Sequence, residues 1–107
     1  MNTPTIQSLN DTFRQTFVGG NVMMTDGVNN LPPSSLAELL SKVRTFESFG
    51  SGNDPHGEHD FGSIDVNDEK FFWKIDYYDK SLEFGSPDPS APAVTTRVLT
   101  IMRADEY

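Results

Sequence analysis

His56 and His59, the two histidines of the chain, stand three residues apart in the stretch Asp54-Pro55-His56-Gly57-Glu58-His59-Asp60. Two imidazoles beside three carboxylates could offer three or four nitrogen and oxygen ligands to Zn²⁺, Ni²⁺ or Mn²⁺. The same groups could instead pass protons as an acid–base site. The spacing is not that of His-Glu-x-x-His, in which the two imidazoles share one helical face. Pro55 and Gly57 also oppose a helix here, so a loop would bear the ordering cost of any ion it wrapped. The competing reading is a polar turn. Asp54 ahead of Pro55 favours turn initiation, and Asp60 can cap backbone N–H groups where the chain enters a strand. We prefer the turn, with both histidines near the surface and no cofactor or tightly held metal. A metal or acid–base site on His56, Glu58, His59 and Asp60 remains the alternative.

Other chemistry finds less support. With no cysteine, disulfides, thiolate catalysis and Cys-based metal sites are excluded. No serine lies in a nucleophile-elbow context and no phosphate-cradling loop is present. Asp65 and Asp76, if they faced each other on adjacent strands, could share a proton or a cation. Trp73, Tyr77, Tyr78 and Tyr107 could form an aromatic platform, or serve as core and interface. Arg97 is the only basic residue between positions 81 and 102. Its planar guanidinium suits a carboxylate of the 54–60 loop or of Asp88, a structural bridge preferred here over ligand binding.

Charge narrows the partners. Sixteen acids against eight bases give −8 over 107 residues, and residues 54–107 alone carry −7. Such a field repels nucleic acid and anionic lipid and attracts basic protein surfaces, or it serves solubility alone. No apolar run is long enough to span a bilayer, and the first residues lack a signal-peptide pattern, so the expected compartment is the cytoplasm.

The elements that must position these groups follow from periodicity. Thr3 as N-cap and Pro4 at the first helical position, followed by Ile6, Leu9, Phe13 and Phe17, predict a helix over about 4–17. Val22–Thr25 reads as a strand closed by Asp26-Gly27. Ser35 with Glu38 fits a capping box, and Leu36, Leu39, Leu40, Val43, Phe46 and Phe49 predict a helix over 35–49, ended by Gly50. Beyond the loop of 50–60, strands are expected at 61–66, 70–78 and 82–84. Phe71, Trp73, Ile75 and Tyr77 would share the core face, and Phe72, Lys74, Asp76 and Tyr78 the other. The segment 95–103 is open between strand and helix, with strand preferred. The result is a single α+β domain spanning 1–107, two helices packed on one face of a mostly antiparallel sheet. Phe13, Phe17, Leu39, Leu40, Val43, Phe46, Trp73 and Ile75 would form its core.

The order DPHGEHDFG, FWKIDYYD, GSPDP and TTRVLTIM, with the LNDTFRQTF opening and the VMMTDGV segment, resembles nearly end to end an uncharacterised domain-of-unknown-function family. That family consists of small, mainly alphaproteobacterial proteins, often plasmid- or phage-associated. The resemblance implies no catalytic residue. It does imply a bacterial, mobile-element setting. Together with the charge, this leads to a non-enzymatic acidic interaction module, a candidate DNA mimic or anti-CRISPR inhibitor of a basic nucleic-acid-binding defence protein. Its expected contacts are Asp68, Glu69, Asp79 and Asp88 for charge, with Phe72 and Tyr78 as the aromatic centre. It would bind no nucleic acid or membrane itself, and a homodimer is a further option. The alternative is a small metal-dependent or acid–base enzyme built on the histidine loop.

Overall fold

The computed structural model describes residues 5–107. Helix α1 (Ile6–Thr16) leads into strand β1 (Gly20–Met24), the single-turn helix α2 (Asp26–Asn29) and helix α3 (Pro33–Arg44). Strands β2 (Phe61–Val66), β3 (Glu69–Tyr78) and β4 (Thr96–Arg103) follow. They form one sheet in the order β1-β4-β3-β2, antiparallel except for the parallel β1–β4 pair. This is the expected α+β class, with α1 and α3 on one face of the sheet.

The hairpin between β2 and β3 turns on Asn67 and Asp68, both at positive φ, as a two-residue type I′ turn requires. Its register places Phe71, Trp73 and Ile75 on one face, level with Ile64, Leu99 and Ile101 of the neighbouring strands. These residues are buried with Phe13, Val28, Leu39 and Val43. Phe17, Leu40 and Phe46 of the expected core are only partly buried, packed against it. Trp73 is fully enclosed, with Phe46 edge-on at 5.5 Å and the Arg14 guanidinium over its ring at 5.1 Å. Gly62 lies directly over this indole, where an added Cβ would collide with Trp73 and Phe46. The opposite face bears Phe61, Phe72, Lys74, Asp76 and Tyr78, with Met102 buried level with Phe72.

Several boundaries differ from the sequence reading. The expected cap Thr3 and Pro4 lie outside the described residues; within them, Thr5 caps α1 through a reciprocal box with Ser8. No Ser35–Glu38 box forms. Helix α3 starts two residues earlier, at Pro33, which needs no N–H partner there, and the Ser35 hydroxyl instead accepts from Asn67 at 2.9 Å. The helix ends at Arg44, not Phe49. The Arg14 guanidinium donates to the Val43 and Phe46 carbonyls, each at 3.1 Å, so a buried cation satisfies the terminating carbonyls. Phe46 and Phe49 continue onto Trp73 from an irregular segment, their helical spacing being coincidental.

Residues 82–84 form no strand. Leu82 has positive φ, and the Asp79 carboxylate accepts from Ser81, Glu83 and Phe84, curling the chain into a turn beside a lone bridge from Tyr78 to Gly85. Thr96–Arg103 is a strand, and buries Arg97, Leu99 and Ile101 on the helix-covered face. No helix among the described residues is long and apolar enough to cross a membrane.

Candidate functional site

The histidine loop folds back on itself. The Asp54 carboxylate, itself buried, accepts the His59 N–H at 3.0 Å, while the Asp54 carbonyl accepts from Gly57 at 3.1 Å. The turn therefore closes on Asp54; Asp60 caps no other residue of the loop. His59 takes positive φ and stacks flat on Phe49, with ring centroids 3.7 Å apart. Its Nδ1 lies 2.8 Å from Asp11 on α1 and its Nε2 lies 3.7 Å from Asp54. Nδ1 is thus bonded to one carboxylate, and Nε2 lies beside a second. His56 is exposed, on the other side of Gly57.

Neither of the other two acids of the loop bonds His59. Glu58 accepts from the Tyr77 hydroxyl at 2.9 Å. Burial, then the charge of Glu58, holds the Asp60 carboxyl above its ordinary range. Among the described residues no three His, Asp or Glu side chains converge to hold a metal ion. Asp65 and Asp76 do not face each other either: Asp65 is level with Lys70, and Asp76 with Val98.

A buried polar chain connects this loop to β4. The Asn10 amide donates to the Glu58 carbonyl at 2.9 Å and to the Tyr77 oxygen at 2.8 Å. Its carbonyl accepts from Arg97 Nε at 2.8 Å. Arg97 also donates to the Pro89 carbonyl and lies beneath the Tyr77 ring at 5.3 Å. Arg97 therefore makes no ion pair with Asp88 or the histidine loop, contrary to expectation; its two bonded nitrogens serve neutral acceptors. Burial lowers its pKa and raises that of the Tyr77 phenol well above the usual range.

The uncovered face of the sheet is a different kind of surface. Phe61, Phe72 and Tyr107 form a cluster there, with Phe72 and Phe61 at 5.3 Å and Phe72 and Tyr107 at 5.6 Å. Tyr107 is placed by Glu106, which accepts from Thr25 at 2.6 Å and from the Gly27 and Arg103 backbones at 2.9 Å. Those bonds, the Thr25 hydroxyl first, hold the Glu106 carboxyl below its ordinary range. Gly27 permits this approach, because a Cβ there would collide with Arg103 and Glu106. On the same face β1 presents Met23, 55% exposed, and β3 presents Tyr78, half-buried. Of the expected aromatic platform, Trp73 belongs to the core instead.

The acids expected to meet a partner lie at opposite ends of β3. Asp68 and Glu69 occupy the hairpin end, where Glu69 pairs with Arg103 at 2.8 Å. Asp79 and Asp88 follow the other end. Asp79 anchors its turn, and Asp88 accepts from the Ser90 backbone and hydroxyl. Hydrogen bonds from Ser90 lower the pKa of Asp88; at Asp79 desolvation pushes upward, but bonds from Ser81, Glu83 and Phe84 outweigh it. Both stay charged at neutral pH.

Sequence reasoning passed over Asn10, Arg14, Phe61 and Asp11. For the first two a signal existed: Asn10 and Arg14 lie four residues apart on the stripe of Ile6, Phe13 and Phe17, and polar groups on an apolar stripe must bond inside the protein. Phe61 and Asp11 depend on loop placement and strand register, for which no local signal existed.

Residues 24–106 match the family described as protein of unknown function (DUF3768). The chain belongs to this family. The match covers the histidine loop, Tyr77 and Arg97 but not α1 or most of β1, and so is shorter than the end-to-end resemblance read from the sequence. Comparison with curated proteins and with solved structures gave no match.

Proposed function

We propose that this DUF3768 chain is a non-enzymatic interaction module that docks a basic protein through the uncovered face of its sheet. The observation that carries this reading is the Phe61–Phe72–Tyr107 cluster, held in place by the Glu106 bonds on the sheet face opposite the core. Aromatic anchors of this kind dominate binding energy where a partner can exclude water around them. Asp65 and Asp76 stand on the same face, and Asp68, Glu69, Asp79 and Asp88 lie beyond its two ends. The net charge of −8 then steers a cationic partner toward the aromatic centre, with Tyr78 at its margin.

A nucleic-acid-binding protein presents the matching basic surface. A bacterial cytoplasm with mobile-element-encoded defence inhibitors is the setting in which such charge mimicry is useful, and an anti-CRISPR or anti-restriction role is one form of it. Capture from a bacterial lysate, followed by reconstitution from purified components, tests this. A basic protein should bind the wild type, elute as salt rises, and fail to bind a Phe61→Ser/Phe72→Ser variant that retains its folded Trp73 fluorescence. Equal binding by that variant, or tight binding of the wild type to DNA in a mobility-shift assay, contradicts the proposal.

A further inference from the structure

A cavity of about 570 Å³ opens between α1 and the start of β4, on the helix-covered side and away from the aromatic face. Its size is that of a small-molecule site. Leu9, Phe13, Val18 and Pro92 supply apolar wall; Arg97 and Lys80 supply the charges, and Ser8, Thr12 and Thr95 the hydroxyls. No carboxylate lines it, although acids outnumber bases two to one in this chain.

Of the cations unpaired among the described residues, Arg44, Lys70 and Lys80 are exposed and Arg97 alone is buried. Arg14, Lys42, Lys74 and Arg103 are each ion-paired. Arg97 and Lys80 have no carboxylate partner among the described residues. Arg97 is only 3% exposed, and its Nε and one terminal nitrogen are tied to Asn10 and Pro89. Its other terminal nitrogen, Nη1, has no hydrogen-bond partner among the described residues.

A buried guanidinium held by neutral acceptors is costly unless an anion completes it. Asn10, fixed by Tyr77 and Glu58, sets the plane of the guanidinium, so the donor is preorganised. We infer that this cavity binds a small molecule carrying a carboxylate or phosphate on an apolar body. Arg97 and Lys80 take the oxyanion, the Thr12 hydroxyl lies beside it, and Leu9 and Phe13 cover the apolar part. The site is independent of the docking face and stands or falls separately from it.

Titration of the ¹⁵N-labelled full chain with benzoate, phenyl phosphate, inorganic phosphate and neutral benzyl alcohol tests the assignment. At least one aromatic anion should shift the Thr12 and Lys80 amides and the Arg97 Nε–H saturably, about tenfold more tightly than inorganic phosphate, while benzyl alcohol has no effect. The tighter of benzoate and phenyl phosphate identifies the headgroup. Lys80→Glu, at an exposed position, should leave the remaining spectrum intact and weaken binding about tenfold or more. The inference is overturned if neither aromatic anion gives saturable shifts by about 10 mM, well beyond millimolar affinity. It is equally overturned if the shifts map outside the cavity, if inorganic phosphate or benzyl alcohol binds as well, or if Lys80→Glu changes nothing.

Discussion

The two faces of the sheet use similar residues for opposite ends. On the covered face Trp73 lies beneath Phe46 and Phe49, shielded by Arg14 and unexposed, and its indole N–H has no hydrogen-bond partner among the described residues. One residue earlier on the same strand, Phe72 points the other way, level with the buried Met102, and its ring meets those of Phe61 and Tyr107, the latter 75% exposed. An indole kept buried with an unbonded N–H is held by its volume and packing, since the unmet bond works against folding. A half-buried aromatic cluster contributes less to folding, because part of its apolar area stays wet in the folded state. Strand alternation makes this separation possible: one strand carries both a core and a surface for recognition.

The largest test of that contrast is a pair of truncations. Trp73→Ala should lower unfolding free energy by about 3–5 kcal/mol, and Phe72→Ala by about 1 kcal/mol or less, as read by urea denaturation. Equal losses would erase the distinction between the faces. A smaller effect is expected in the polar chain behind the covered face. Asn10→Ala removes the acceptor for Arg97 Nε and a donor to Tyr77, and should cost about 1–3 kcal/mol while leaving Phe72 and Tyr107 resonances in place.

On the open face, Glu106→Ala should barely move the melting midpoint yet abolish the Tyr107–Phe72 ring contact seen as an NOE, because Glu106 acts on placement more than on burial. The smallest effect concerns Asp60. Its folded-state pKa is raised, chiefly by burial, so the folded protein holds that proton more tightly than the unfolded chain. The stability this contributes is full below the ordinary carboxylate range and lost as pH rises through the folded value. Asp60→Asn should therefore raise the midpoint slightly at neutral pH, with the gain vanishing by about pH 3.

The alternation of β3 and the stripe of α1 were legible because each depends on period alone. Helix α3 was legible in position but not in length. Phe46 and Phe49 keep a three-residue spacing, and only Arg14, from a different helix, shows where the hydrogen-bonded turns stop. Leu82–Phe84 looked like a strand by composition, yet the Asp79 side chain competes for its backbone N–H groups and wins locally. The histidine loop was legible as a turn through Asp54. Its partner Asp11 lies 48 residues from His59, and no spacing rule reaches that far. Arg97 stood out as an isolated base, but its neutral acceptors follow from how α1 packs across β4.

The central claim is that the uncovered aromatic face, steered by acidic charge, is where a basic partner binds. Isothermal titration of the purified captured partner into wild-type and Phe72→Ser chains, at low and at physiological salt, tests it most directly. The account predicts that Phe72→Ser loses about 2 kcal/mol or more of binding, some thirtyfold in Kd, at both salt concentrations, while wild-type affinity falls as salt rises. Unchanged affinity in Phe72→Ser, with the salt dependence retained, would show that charge alone drives association and that the aromatic face is not the docking surface.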